Sequence, residues 1–242
     1  MSPVTLQSFI IRMGIKMALN TLQGKPMLPS LGNNGQESKS GIEPKSDHER
    51  DDALLSVKNL DGSVTVLLGA RGTGKTELAY RLAKFYGRPT YAISPQQVPP
   101  SWIHRVTLEN MFQEVKPRST LIADDLPAYA SNRDYNEGLV QALEKVIPMA
   151  RHESTPDHPI GEIHLIFCSQ SAAQADKYIL DCDLALFKPL GLLIGGVERP
   201  HIAKIYREFV DPEFDGKDMD WIRKHAYIFS RTWRGIIEFH KT

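Results

Sequence analysis

Only two cysteines, Cys168 and Cys182, stand among the 242 residues. One lies in an apolar run and the other between aspartates, so no disulfide framework is expected and a reducing, cytoplasmic setting suits the chain. An excess of charge is also missing, since Lys plus Arg number 29 and Asp plus Glu number 29. Nothing global therefore advertises nucleic acid, although a ring of neutral subunits can still expose a local basic patch. No apolar run approaches the roughly 18 residues needed to span a bilayer. The start of the chain lacks the cationic flank and small-residue cleavage site of a secretory signal, and no internal repeat is visible. Aliphatic side chains almost vanish from Leu31 to Arg50. A segment so poor in apolar surface cannot offset its ordering entropy, so 24–50 reads as a flexible linker. An apolar content of 41% is otherwise ordinary for an α/β domain with additions.

Ahead of that linker, residues 1–23 hold an amphipathic stretch from Thr5 to Leu22. Leu6, Phe9, Ile10, Met13 and Met17 fall at helical spacing, and Gly24 is placed as a C-terminal cap. Such a helix is expected to dock on protein, with a membrane surface as the other reading. From 51 to 211 strands and helices alternate, which predicts a mostly parallel sheet covered on both faces. Strands are expected at Ser63 to Leu68, Thr90 to Ser94, Ser119 to Asp124, Glu162 to Cys168 and Asp183 to Lys188. Helices are expected at Glu77 to Phe85, about Tyr135 to Ala150, and Pro200 to Val210. The remainder, 212–242, is an extension whose end, Ala226 to Phe239, reads as a β-hairpin.

The densest chemistry lies at Gly69-Ala70-Arg71-Gly72-Thr73-Gly74-Lys75-Thr76, which fills every position of the phosphate-binding pattern G-x-x-x-x-G-K-[ST]. The glycines let the backbone curl so that successive N–H groups point at phosphate oxygens. Lys75 is the cation for the β- and γ-phosphates, and the Thr76 hydroxyl is the Mg²⁺ ligand. A strand before the loop and a helix after it place the phosphates at a positive helix N-terminus. ATP and Mg²⁺ are the expected cofactors.

Hydrolysis also needs a carboxylate opposite the loop and a group that orients water. The apolar strand ending in Asp124-Asp125 supplies two acids at a carboxyl edge, where open α/β sheets bind ligands. Asp124 is read as the metal-side acid and Asp125 as the base. The strand from Ile163 to Cys168 ends in Ser169-Gln170-Ser171, and the Gln170 amide both donates and accepts, which suits contact with a γ-phosphate and a water.

The order of phosphate loop, strand with two acids, Ala150-Arg151-His152 and strand ending in Ser169-Gln170 resembles the HerA/FtsK superfamily of motor ATPases. The likeness covers about Val64 to Pro189, and within the superfamily it is to viral genome-packaging and Zot-like assembly ATPases. It implies an additional-strand, RecA-like P-loop NTPase fold and a homo-oligomeric ring, usually hexameric, that moves double-stranded DNA. It also implies an arginine from the neighbouring subunit at each site, with Arg151 the first candidate and Arg105 or Arg118 behind it. A virion, portal or membrane-associated partner would recruit such a motor. Asp125 departs from the pattern, because a glutamate is usual there and aspartate is one methylene shorter. That departure keeps open a nucleotide-gated interaction protein. A small-molecule kinase would need a lid with clustered arginines, which the sequence does not clearly show. The turn Arg231-Thr-Trp233-Arg234 is a further candidate for DNA phosphates.

Overall fold

Strand β1 (Val64–Leu68) is buried at all five positions, as a strand covered on both faces must be. The computed structural model describes residues 54, 58–59, 62–94, 98–107, 109–124, 150, 152, 161–172, 182–191, 198–230 and 232–239. After β1 come helix α1 (Lys75–Tyr86), strands β2 (Thr90–Ile93) and β3 (Ile103–Arg105), a short helix α2 (Met111–Glu114), and β4 (Thr120–Ala123). Then follow β5 (His164–Ser169), β6 (Leu184–Phe187), α3 (Pro200–Ile205), a wide π-turn (Tyr206–Val210) and α4 (Asp211–Phe214). Helix α5 (Met219–Lys224) leads directly into β7 (His225–Ser230) and β8 (Arg234–Glu238).

The eight strands among the described residues form one sheet in the order β3-β2-β4-β5-β1-β6-β7-β8. Every neighbour pair from β3 to β6 is parallel, while the β6–β7 and β7–β8 pairs are antiparallel. This is a P-loop NTPase fold of the additional-strand kind, because β5 lies between the phosphate-loop strand β1 and the acid-bearing strand β4. The expected hairpin is present, and β7 joins it to the main sheet by pairing with β6. The sequence reading did not place β3, which has three residues and only Ile103 buried. So short a run carries no periodicity.

Alternation along the strands divides the core into two layers. Leu67, Ile122, Ile166, Cys168 and Leu186 face α1, whose Leu78, Ala79, Leu82 and Ala83 complete that layer. Val66, Leu68, Leu121, Phe167 and Phe187 face the other way, against Ile202, Tyr206, Val210 and Phe214. Helix α1 ends at Gly87, whose positive φ of 72° lets its N–H close on the Ala83 carbonyl. The helix from Pro200 passes Val210 and reaches Phe214 by way of the π-turn, where the Asp211 N–H bonds the Tyr206 carbonyl five residues back. The stretch from Thr5 to Leu22, the linker 24–50, the body of the helix from Tyr135 to Ala150, Asp125, Arg151 and Arg231 lie outside the described residues.

Candidate functional site

The carboxyl ends of β1, β4, β5 and β6 share one edge of the sheet, and the phosphate-loop motif leaves β1 there. Its first turn is pinned on both sides. The Gly69 N–H bonds the Ser169 carbonyl of β5 at 3.2 Å, and the Ala70 N–H bonds the Pro189 carbonyl beyond β6 at 2.7 Å. The loop is also braced internally, with the Thr73 hydroxyl and the Lys75 ammonium both donating to the Ala70 carbonyl, at 2.7 and 3.0 Å. Gly74 then caps α1, and the Leu78 N–H closes the first helical turn on the Gly74 carbonyl. The N–H groups of Lys75, Thr76 and Glu77 belong to the first turn of α1, where a helix leaves donors for an anion.

Thr76 and Asp124, 48 residues apart in sequence, meet at this edge. The Thr76 hydroxyl donates to the two carboxylate oxygens at 2.9 and 3.1 Å. Asp124 is buried, and its N–H continues the β4 ladder to the Ile93 carbonyl at 3.0 Å. A hydroxyl beside a buried carboxylate is a set of hard oxygen donors, which fits Mg²⁺ in company with waters and phosphate oxygens. The loop and helix N-terminus fit a nucleoside polyphosphate. Beside Gly74 opens a cleft of about 570 Å³ lined by Glu77, Arg81, Arg223, Lys224 and Phe239.

Gln170 follows β5 directly and is half-buried at the tip between the β1 and β4 ends. The chain beyond it is tied down by Glu198, whose carboxylate accepts from the Ser171 hydroxyl and the Ala172 N–H, both at 2.8 Å. Glu198 is buried and went unnoticed in the sequence, where an acid just before a helix carries no mark of its partners. Arg105 lies on the outermost strand with its guanidinium on the Ser94 carbonyl. Arg118 precedes β4 at the opposite edge of the sheet from Asp124, paired with Glu162 at 2.8 Å.

Lys188 is the largest omission from the sequence reading. It follows β6, is completely buried, and donates to the carbonyls of Ile222 and Arg223 at 2.8 and 3.0 Å. These carbonyls belong to the last turn of α5, where a cation is favoured. Arg223 in turn lies against the phosphate loop, and a Cβ added at Gly74 would come within 3.2 Å of its carbonyl oxygen. Lys188 thereby ties the segment entering the hairpin to the loop. Its only sequence signal is a lysine closing an apolar strand before Pro189.

Burial pushes the Lys188 ammonium pKa down to about 7 from 10.5, with the charges of Arg81 and Lys75 adding to the shift. The folded pKa lies below the unfolded one, so between them the unfolded chain binds the extra proton. The resulting penalty is complete below pH 7 and is relieved as pH rises toward 10.5. Denaturant unfolding from pH 7 to 9.5 should therefore show wild-type stability rising relative to Lys188→Met, by up to about 1.4 kcal/mol per pH unit. Parallel curves for the two proteins would mean that the lysine is not held this way.

No family model and no characterised protein sequence matches the chain. Among solved structures, the RadB recombinase is similar at a TM-score of 0.40 and 17% identity, over 57% of this chain and 80% of that one. The Holliday junction branch migration motor RuvB of Thermotoga maritima is similar at a TM-score of 0.36 and 16% identity, over 55% of this chain and 41% of that one. The cytoplasmic domain of the type VII secretion ATPase EccC of Thermomonospora curvata reaches a TM-score of 0.42 at 14% identity, over 74% and 24%. The matched region thus spans less than half of the RuvB and EccC chains.

Proposed function

We propose that the protein is an Mg²⁺-dependent ATPase that moves double-stranded DNA, as a genome-packaging motor of a virus or mobile element working in an oligomeric ring. The observation that carries this reading is the strand order, which sets Ser169-Gln170 at the tip between the phosphate loop and Asp124. There the Gln170 amide, which both donates and accepts, would contact a γ-phosphate and an attacking water. Lys75 and the α1 N-terminus would hold the β- and γ-phosphates, and Thr76 and Asp124 the metal side. Bound Mg²⁺ supplies charge neutralisation on the transferring phosphoryl group. Asp125 would orient water, and Arg151 from a neighbouring subunit would complete the charge stabilisation. The cleft beside Gly74 has the volume for the nucleoside.

ATP turnover by purified protein, with and without double-stranded DNA, tests this beside a Lys75→Ala control. Turnover should rise several-fold with DNA and fall by about a hundredfold or more in the control, the scale of losing a charge-stabilising group. Turnover indifferent to DNA would overturn the DNA motor in favour of a Zot-like extruding ATPase. No turnover under any condition would favour a nucleotide-gated interaction protein.

A further inference from the structure

Tyr80 stands one helical turn after Thr76 on α1, so the two side chains share the face turned to the sheet. Its ring packs in the layer that holds Ile122 of β4 and Cys168 of β5, the strand positions leading to the site. Tyr80 is only 8% exposed, and its hydroxyl is fully buried without a hydrogen-bond partner among the described residues. Burial, followed by the negative charge of Asp124, pushes the phenol pKa up to about 12. The group is therefore protonated and a donor at any ordinary pH.

A buried hydroxyl without a partner is costly, and phenylalanine would pack the same ring without that cost. The oxygen is thus a burden to the protein in this state, and it belongs to the helix face whose Thr76, one turn earlier, engages the Asp124 carboxylate. One event at this site would bring the oxygen a partner. Thr76 and Asp124 would hold the cation side of the site, and a phenol donating to the Asp124 carboxylate would fix that carboxylate's orientation toward the ion.

We propose that the Tyr80 hydroxyl is a positioning group for the divalent-cation site, donating to Asp124 when cation and nucleotide are bound. The inference rests on the nucleotide-binding reading above. Tyr80 touches neither phosphate nor metal and acts through Asp124. Hydrogen-bonding partners of this kind in metal sites set affinity for the ion by one to two powers of ten.

The test is Mg²⁺ titration of fluorescent ATP-analogue binding to the wild type, Tyr80→Phe, Asp124→Asn and the double variant. Tyr80→Phe should raise the half-saturating Mg²⁺ about tenfold and leave metal-free nucleotide binding unchanged. Its melting temperature without ligand should equal or exceed that of the wild type, while the upward shift caused by Mg²⁺ and nucleotide should shrink. In the Asp124→Asn background the tyrosine change should add nothing, because its route to the metal is gone. A wild-type Mg²⁺ dependence in Tyr80→Phe would overturn the inference alone and leave the nucleotide site standing. An effect of equal size in both backgrounds would overturn the route through Asp124. Absence of nucleotide binding by the wild type would take down both the site and this inference.

Discussion

Asp124→Asn should lower Mg²⁺-dependent ATP turnover by about a hundredfold or more, the scale of losing a charge partner of a catalytic metal. The substitution keeps the volume, so the chain should fold with an almost unchanged melting temperature. What changes is that one carboxylate oxygen becomes an amide donor. The Thr76 hydroxyl now donates to both oxygens, at 2.9 and 3.1 Å. With asparagine it would meet one acceptor and one opposed N–H group, and the cation would lose a negative charge. Steady-state turnover across a range of Mg²⁺ would measure this, with metal-free nucleotide binding as the control that should stay intact. Turnover within a few-fold of wild type would show that Asp124 does not serve the metal.

Gly69→Ala is expected to be the most damaging single-methyl change in the loop. A Cβ there would stand 2.5 Å from the Lys188 Cβ and 3.0 Å from the Lys188 carbonyl oxygen. Neither atom belongs to a flexible side-chain end, and both lie just past β6, which pairs with β1. The backbone φ of 154° is also one that side-chain-bearing residues rarely adopt. Overpacking typically costs 1–3 kcal/mol and backbone strain a similar amount, so a loss of about 3 kcal/mol or a displaced loop should follow. Gly72→Ala makes the comparison fair, because its φ is 79° but an added Cβ meets nothing within 4 Å. That change should cost only the left-handed backbone penalty, about 1–2 kcal/mol. Lys188→Ala should not rescue Gly69→Ala, because alanine keeps the Cβ in the way. Denaturant unfolding and nucleotide binding of the three variants would measure this. Equal losses at Gly69 and Gly72 would mean that the contact with Lys188 is not what makes glycine necessary.

Much of this site could be read along the chain because its parts are contiguous. A phosphate loop is eight consecutive residues whose backbone geometry demands glycine, so the motif carries its own structure. The strands of β1, β4, β5 and β6 are apolar runs that must be buried on both faces, and their bounds moved by only a residue or two. β3 was invisible for the opposite reason, since its three residues include exposed His104 and Arg105. Tyr80 lies inside the helix expected from Glu77 to Phe85, where nothing in the spacing marks its oxygen. That its oxygen is buried in the layer shared with Ile122 depends on a neighbouring strand that enters the sequence some forty residues later.

The sequence by itself determined the alternation of strand and helix, the phosphate loop, and the acid and amide at two strand ends. Each follows from local spacing, because hydrophobic period, glycine conformation and capping act over a few residues. Only the tertiary structure decided which strand lies beside which, and therefore that Thr76 meets Asp124 and that Gln170 stands between β1 and β4. It also decided that Lys188 is buried on the carbonyls of α5, so that the hairpin segment reaches the phosphate loop. Those outcomes depend on parallel strands paired across many residues and on desolvation at the close of packing, and neither leaves a trace in local spacing.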